Sequence, residues 1–147
     1  MAFQITPEWL INLPDEMEHR IEDDKLIFWK TGVTVAIAAF SLPEGVSKLE
    51  LLAQIQQKMP ERTLETFVST KGEVVGLGFT EVLQATNARD RLSLVTFTAS
   101  DTSCLQTGFF LDDPKDLDWA KSVWEGIIFV PETNQPLEPT PSSGAKG

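Results

Sequence analysis

The amino-acid sequence predicts an α+β domain: an antiparallel β-sheet of about six to eight strands flanked by two main α-helices. Three observations carry that expectation. Apolar residues recur with period two in segments bounded by short turns. Two other segments show helical periodicity behind recognisable caps. The turns are also too short for the crossover that a parallel pair needs, so sequential strands should be antiparallel neighbours. The two helices are then expected to cover the apolar face of the sheet.

A chain of 147 residues suits a single domain, large enough to bury about two-thirds of its unfolded surface without disulfides or metals. Hydrophobic residues make up 41% and charged residues 23%, values typical of a globular protein. From Pro131 onward there are four prolines and two glycines, and Leu137 is the one large apolar residue. Such a segment cannot offset the entropy of ordering itself. We therefore expect one globular domain over residues 1–131 and a disordered C-terminal tail over residues 132–147.

Along the chain, Thr6-Pro7 suggests a brief helical turn carrying Trp9 and Leu10. Residues 18–21 and 26–29 read as strands around an Asp23-Asp24 turn. Lys30-Thr31-Gly32 leads into a strand over 33–40, where Val33, Val35 and Ile37 alternate with small residues. The first helix opens at Ser47. Ser47-Lys48-Leu49-Glu50 is a capping box, and Val46 with Leu51 has the spacing of a hydrophobic staple. An apolar stripe follows at Leu49, Leu52, Ile55 and Met59, and Pro60 ends the helix.

Strands are expected next at 64–70 and 74–83, around a turn at Lys71-Gly72. In the second of these, Val75, Leu77 and Phe79 point one way while Gly76, Gly78 and Thr80 point the other. Asn87-Ala88-Arg89-Asp90 connects to a strand at 92–99, which is followed by one at 106–111. The second helix begins at Asp113-Pro114: Asp113 offers the cap oxygen, Pro114 lacks a donor that would be unused there, and Asp116 meets the positive end of the helix dipole. Leu117, Ala120, Val123 and Trp124 form its buried face, Gly126 is a natural residue for the position after the helix, and a strand at 127–130 closes the domain.

Composition narrows the function. No apolar run approaches the roughly 18–20 residues of a membrane span, and the best run, 33–40, is interrupted by Thr34. Met-Ala-Phe-Gln-Ile at the N-terminus is not a basic segment followed by an apolar one, so no secretory signal is expected. Cys104 is the single cysteine, which rules out an internal disulfide and agrees with a reducing compartment. We expect a cytoplasmic protein. The formal net charge is −10. Only Glu132, Glu138 and Lys146 of it belong to the tail, so the acidity is that of the domain. Such a field repels phosphate backbones and excludes nucleic acid as the natural partner. It favours a protein partner with a basic surface.

Catalytic and metal constellations are weak. Gly76-Leu77-Gly78 lacks the third glycine and the following helix of a dinucleotide fingerprint, and reads as room for a packed aromatic or a bulge. Asp112, Asp113, Asp116 and Asp118 fail as a calcium loop, because Leu117 falls where glycine is needed and Val123 where the bidentate glutamate belongs. They are explained as a capped helix start. His19 and Cys104 would have to meet to make a nucleophile and base, and nothing in their local sequence joins a strand histidine to a turn cysteine. No metal, cofactor or catalytic residue is expected, and the protein is expected not to be an enzyme.

Four tryptophans remain. Trp119 and Trp124 are five residues apart, about 140° around a helix, so one face cannot bury both equally. Tryptophan is buried on average, yet exposed tryptophans concentrate in binding hot spots. Trp119, Trp124, Asp112, Asp113 and Asp116 are therefore the candidate partner-binding residues. The function expected is non-catalytic binding of a protein, as an adaptor or chaperone-like domain, through the acidic surface, the sheet face or the C-terminal helix. The alternative is a small-molecule or lipid site between sheet and helices near Gly76 and Gly78. The charged strand at 18–21 looks protected against edge pairing, which favours a monomer.

Three features in order resemble a known family. Ile11-Asn12-Leu13-Pro14-Asp15 is similar to the strand-then-Leu-Pro opening of the PsbP-like domains. Residues 74–83 followed by 92–99 resemble their long central hairpin. Leu117, Trp119-Ala120 and Val123-Trp124-Glu125-Gly126-Ile127-Ile128-Phe129 resemble their last helix running into a short strand, with Glu125-Gly126 in place of the usual serine. The resemblance implies an antiparallel sheet flanked by helices and used for binding, as in extrinsic photosystem subunits, a Ran-binding nuclear protein and bacterial chaperones that escort secreted effectors. It carries no catalytic motif to any residue here, and the absence of a lipid-attachment cysteine argues against the lumenal and periplasmic branches.

Overall fold

Asp23 and Asp24 both adopt left-handed backbone conformations, with φ of 51° and 66°, which is the geometry of a tight hairpin turn whose twist matches its strands. That turn joins β3 (Glu18–Glu22) to β4 (Lys25–Lys30), the start of a seven-stranded antiparallel sheet. The computed structural model describes residues 2–59, 63–84 and 90–131. Gly32, at φ 83°, turns the chain into β5 (Val33–Ser41), and Gly72, at φ 63°, joins β6 (Thr63–Lys71) to β7 (Val74–Gln84). With β8 (Asp90–Ala99) and β9 (Ser103–Leu111) the order across the sheet is β3-β4-β5-β9-β8-β7-β6. The connection expected at 87–90 lies outside the described residues except for Asp90, as does the tail at 132–147.

The N-terminal segment is a correction. Thr6-Pro7 starts no helical turn: it is the bend between β1 (Ala2–Thr6) and β2 (Trp9–Asn12), held by Thr6 Oγ1 accepting from the amides of Glu8 and Trp9, both at 3.2 Å. A hydroxyl that satisfies two amides makes the turn without helix. Both strands, with β10 (Ile128–Phe129), form a second, three-stranded sheet in the order β1-β2-β10. The closing strand is thus shorter than expected and belongs to this small sheet.

Helix α1 (Lys48–Gln57) has the capping box that its sequence announces, Ser47 Oγ accepting from Glu50 N at 3.1 Å and Glu50 Oε1 accepting from Ser47 N at 3.0 Å. Its stripe is rotated from the expected one. Leu51 and Leu52 are the buried residues, whereas Leu49 is 65% exposed. The staple explains the rotation: Val46 and Leu51 join one cluster with Ala99 and Cys104, which turns Leu49 outward. Helix α2 (Leu117–Glu125) follows a single 3-10 turn at Pro114–Asp116 capped by Asp113, whose Oδ1 accepts from Lys115 N at 3.0 Å. Gly126 has φ −88° and so is not needed for a left-handed ending. A side chain there would instead press on Ser122 O, 3.3 Å from where its Cβ would lie.

The two helices cover opposite faces rather than one. Val33, Val35 and Ile37 of β5, Leu94 of β8 and Leu105, Phe109 and Leu111 of β9 line an inner face that packs on Trp9 and Ile11 of β2 and on Ala120, Val123 and Trp124 of α2. Trp9 and Phe109 are fully buried, each contributing about 1.5–3 kcal/mol relative to exposure. On the outer face α1 and Val46 lie over Val75, Phe97, Ala99 and Cys104, and α1 also borders Val68, Thr70 and Leu77 of β6 and β7.

Candidate functional site: the open outer face of the sheet

Beyond α1, toward β4, β5 and the Phe110 end of β9, the outer-face side chains are only half-buried, whereas Leu77 and Phe79 on the α1 side of that face are 2% and 6% exposed. Register fixes which they are. Trp29 of β4 lies beside Thr34 of β5, and Thr34 beside Phe110 of β9. The next row is Ile27, Ala36, Gly108 and Val95. Ala38 and Gln106 pair one step further. Small residues from β5 and β9 thus form a floor, and Trp29 and Phe110 stand at its two sides. Ile27, Trp29, Thr34, Ala36, Ala38, Val95 and Phe110 are all half-buried, which leaves a shallow apolar trough.

Both walls are built alike. The Arg20 guanidinium lies 5.2 Å from the Trp29 ring centre and is held by Glu22 at 2.9 Å. The Arg91 guanidinium lies 6.0 Å from the Phe110 ring centre and is held by Asp112 at 2.9 Å. Each aromatic therefore has an apolar flank toward the floor and a carboxylate-anchored cation above it. Phe110 also leans on Gly108, since a Cβ there would meet the ring at 3.3 Å.

The five candidate residues do not gather at one place. Asp112 borders the trough through Arg91. Asp113 is spent on the turn before α2, and Asp116 at the helix start makes no side-chain cap bond. Trp119 is half-buried on the inner side, edge-on to Phe109 at 6.2 Å and beneath Lys30 Nζ at 5.5 Å. Trp124 is only 5% exposed and donates from Nε1 to Thr98 Oγ1 at 3.0 Å, so it is core. Its indole fills the space over Gly76 and Gly78, which takes away the room for a ligand against those glycines on the inner face. What remains near them is an outer-face groove of about 210 Å³ between α1 and β6–β7, lined by Leu49, Leu52, Val68 and Val75.

His19 and Cys104 lie on opposite faces of the sheet, since His19 aligns with the inner-facing Phe28 and Cys104 belongs to the outer cluster. Cys104 is also a strand residue rather than a turn residue, fully buried, and burial pushes its thiol up to about 12. A concavity of about 360 Å³ sits beside Trp9, Phe40 and Ser103. Its one carboxylate, Glu8, already accepts from Ser103 Oγ at 2.7 Å and Thr102 Oγ1 at 2.9 Å. Among the described residues no group of three or more His, Cys, Asp or Glu could hold a metal ion. No described helix is long and apolar enough to cross a membrane.

The trough had a signal in the sequence. In 33–40 the buried valines and isoleucine alternate with Thr34, Ala36 and Ala38, where a solvated face would carry charges. Period-two reading gives the face but not whether another layer covers it.

No protein-family model matches the chain, and no curated protein does. Solved structures do. A Bacteroides thetaiotaomicron VPI-5482 protein superposes with a TM-score of 0.71 at 12% identity over 94% of this chain, which spans about half (53%) of that longer protein. The cyanobacterial PsbP (CyanoP) of Synechocystis sp. PCC 6803 superposes with a TM-score of 0.65 at 11% identity, covering 88% of this chain and 91% of that one. The chain thus has a PsbP-like fold: an α+β domain with a long antiparallel sheet and helices on its faces.

Proposed function

We propose that this protein is a non-catalytic recognition domain that holds a partner protein in the outer-face trough between Trp29 and Phe110. The observation that carries the reading is the half-buried floor of Thr34, Ala36 and Ala38 between two arginine-capped aromatics. Small floor residues let an apolar side chain or an extended segment approach the sheet closely, and aromatic walls supply contact area at low entropic cost. The net charge of −10 speeds encounter with a basic surface, so the partner is an apolar segment flanked by lysine or arginine. It is neither nucleic acid nor a membrane. The single thiol accords with a cytoplasmic setting.

Affinity capture from native lysate tests this, comparing the wild type with Ala38→Glu, which places a carboxylate on the floor, and with Trp119→Ala on the helix. The reading expects a protein retained at low salt by wild type and by Trp119→Ala, and lost from Ala38→Glu with its circular dichroism unchanged. Equal retention by Ala38→Glu removes the trough from consideration. Loss from Trp119→Ala alone moves the surface to the C-terminal helix.

A further inference from the structure

The seven-stranded sheet has two edges of very different character. At one, β3 reads Glu-His-Arg-Ile-Glu and every residue is exposed. Charges crowded on a short strand are the usual protection against edge pairing. At the other, β6 runs for nine residues without proline, carrying only Glu65 and Lys71 as charges. After an irregularity between Thr63 and Glu65, it pairs with β7 in unbroken register from Glu65 to Lys71, so its outer edge is straight there. Val68 on this strand is 74% exposed and lies with the 65% exposed Leu49 along the groove beneath α1. Ile21 on β3 is more exposed still, at 79%, but stands alone among charges, whereas Val68 and Leu49 sit together at an edge that no described strand pairs.

The charges along this edge are self-complementary. If a second copy of β6 is laid antiparallel about a twofold axis through Val68, Val68 faces Val68 of the second copy. Thr66 then faces Thr70, Phe67 faces Ser69, and Glu65 faces Lys71, each pair occurring twice. Opposite charges and threonine pairs directly across from one another favour an antiparallel ladder. Lys71 Nζ also donates to Glu125 O at the end of α2, at 2.9 Å, and an ammonium with three donors can meet an incoming glutamate at the same time. A shift of register by two residues breaks both Glu65–Lys71 pairs.

We infer that β6 is a homodimerisation edge: two copies join β6 to β6 through Glu65–Lys71, merging their sheets and burying Val68 against Val68. This edge is separate from the trough and does not depend on what the trough binds. The monomer expected from the sequence rested on strand 18–21, which is the protected edge. A net charge of −10 on each copy opposes association at low salt. Near 0.15 M, screening over about 8 Å suppresses that long-range repulsion more than the contact pairs.

Sedimentation velocity over a concentration series at that ionic strength tests the inference on the full chain. A monomer–dimer equilibrium is expected. Glu65→Lys and Lys71→Glu should each raise the dissociation constant by about tenfold or more, because two attractive pairs become repulsive in each variant. Mixing the two variants should restore association, since every Lys then faces a Glu. The double variant Glu65→Lys/Lys71→Glu should restore it as well. These positions are exposed, and circular dichroism of each variant verifies that it is folded. A chain that stays monomeric throughout, or a dimer indifferent to both single reversals, overturns the assignment.

Discussion

A Cβ built on Gly78 would lie 3.0 Å from Cη2 of Trp124 and 3.3 Å from Cγ2 of Thr96. The glycine is required by the close approach of an indole ring, with no unusual backbone angle involved. Trp124 cannot easily retreat, because it is 5% exposed and tied through Nε1 to Thr98. Two effects oppose each other in Gly78→Ala. Restricting the unfolded chain stabilises by about 0.4–1 kcal/mol, while overpacking a filled core costs about 1–3 kcal/mol. Overpacking should win, lowering the urea midpoint with an unchanged slope, by a net of about 1 kcal/mol. A variant as stable as the wild type would show that the ring has room to shift.

That contact also marks how far the sequence could be read. The alternation in 74–83 placed Gly76, Gly78 and Thr80 on one face and suggested a packed aromatic, but not which one. The partner is 46 positions away on α2, and a distance of that kind is decided by how the last helix docks. The strand segments, the Asp23-Asp24 turn and the Ser47 and Asp113 caps were legible because their signals are local. The small sheet was not. β2 pairs with β10 across almost the whole chain, and Thr6-Pro7 carries the same local signal for a turn as for a helix start. The face covered by each helix was likewise hidden, since an amphipathic stripe says only that something apolar lies opposite it. Leu49 was misplaced for this reason, and the open trough was missed with it.

The junction of the two sheets supplies a second prediction. Trp9 Nε1 donates to Ser103 Oγ at 2.8 Å, and Ser103 Oγ donates on to Glu8 Oε1 at 2.7 Å. Ser103→Ala removes both bonds and leaves a fully buried indole N–H without this acceptor. Leaving such a donor unsatisfied costs about 1–3 kcal/mol. The loss should appear in denaturant unfolding and as a shifted Trp9 indole proton resonance. Thr102→Ala, which removes the exposed bond to Glu8 and a 3.3 Å contact with the Ser100 hydroxyl but leaves the indole paired, should cost less.

The capping box predicts a pH effect of known sign. The amide of Ser47, and then its hydroxyl, hold the Glu50 carboxyl below its ordinary value. A group whose folded pKa is depressed stabilises the fold above its unfolded value, and that contribution disappears as pH falls through the folded value. Ser47→Ala keeps the amide, the larger cause, and removes only the hydroxyl, so the Glu50 titration, followed by carboxyl NMR, should rise only part of the way toward the usual carboxylate range. The substitution should also cost about 1 kcal/mol at neutral pH from the lost cap. A Glu50 titration in the ordinary carboxylate range already in the wild type would mean that the box does not persist in solution.

Cys104 gives the opposite sign at high pH. Burial raises its thiol from an ordinary 9.0 to about 12, against a smaller lowering from a backbone hydrogen bond at Thr98. Between those values the unfolded chain releases the thiol proton while the folded chain keeps it, so stability falls as pH rises from about 9 toward 12. Cys104→Ala should flatten that part of the profile, with a separate pH-independent cost because the side chain is fully buried. The same burial keeps the thiolate from forming in the native state, and the thiolate is the reactive species. A disulfide reagent at pH 8 should accordingly label Cys104 at the rate of unfolding, rising with urea. Rapid labelling of the native protein, independent of urea, would place the thiol in reach of solvent and contradict its position beneath Leu51 and α1.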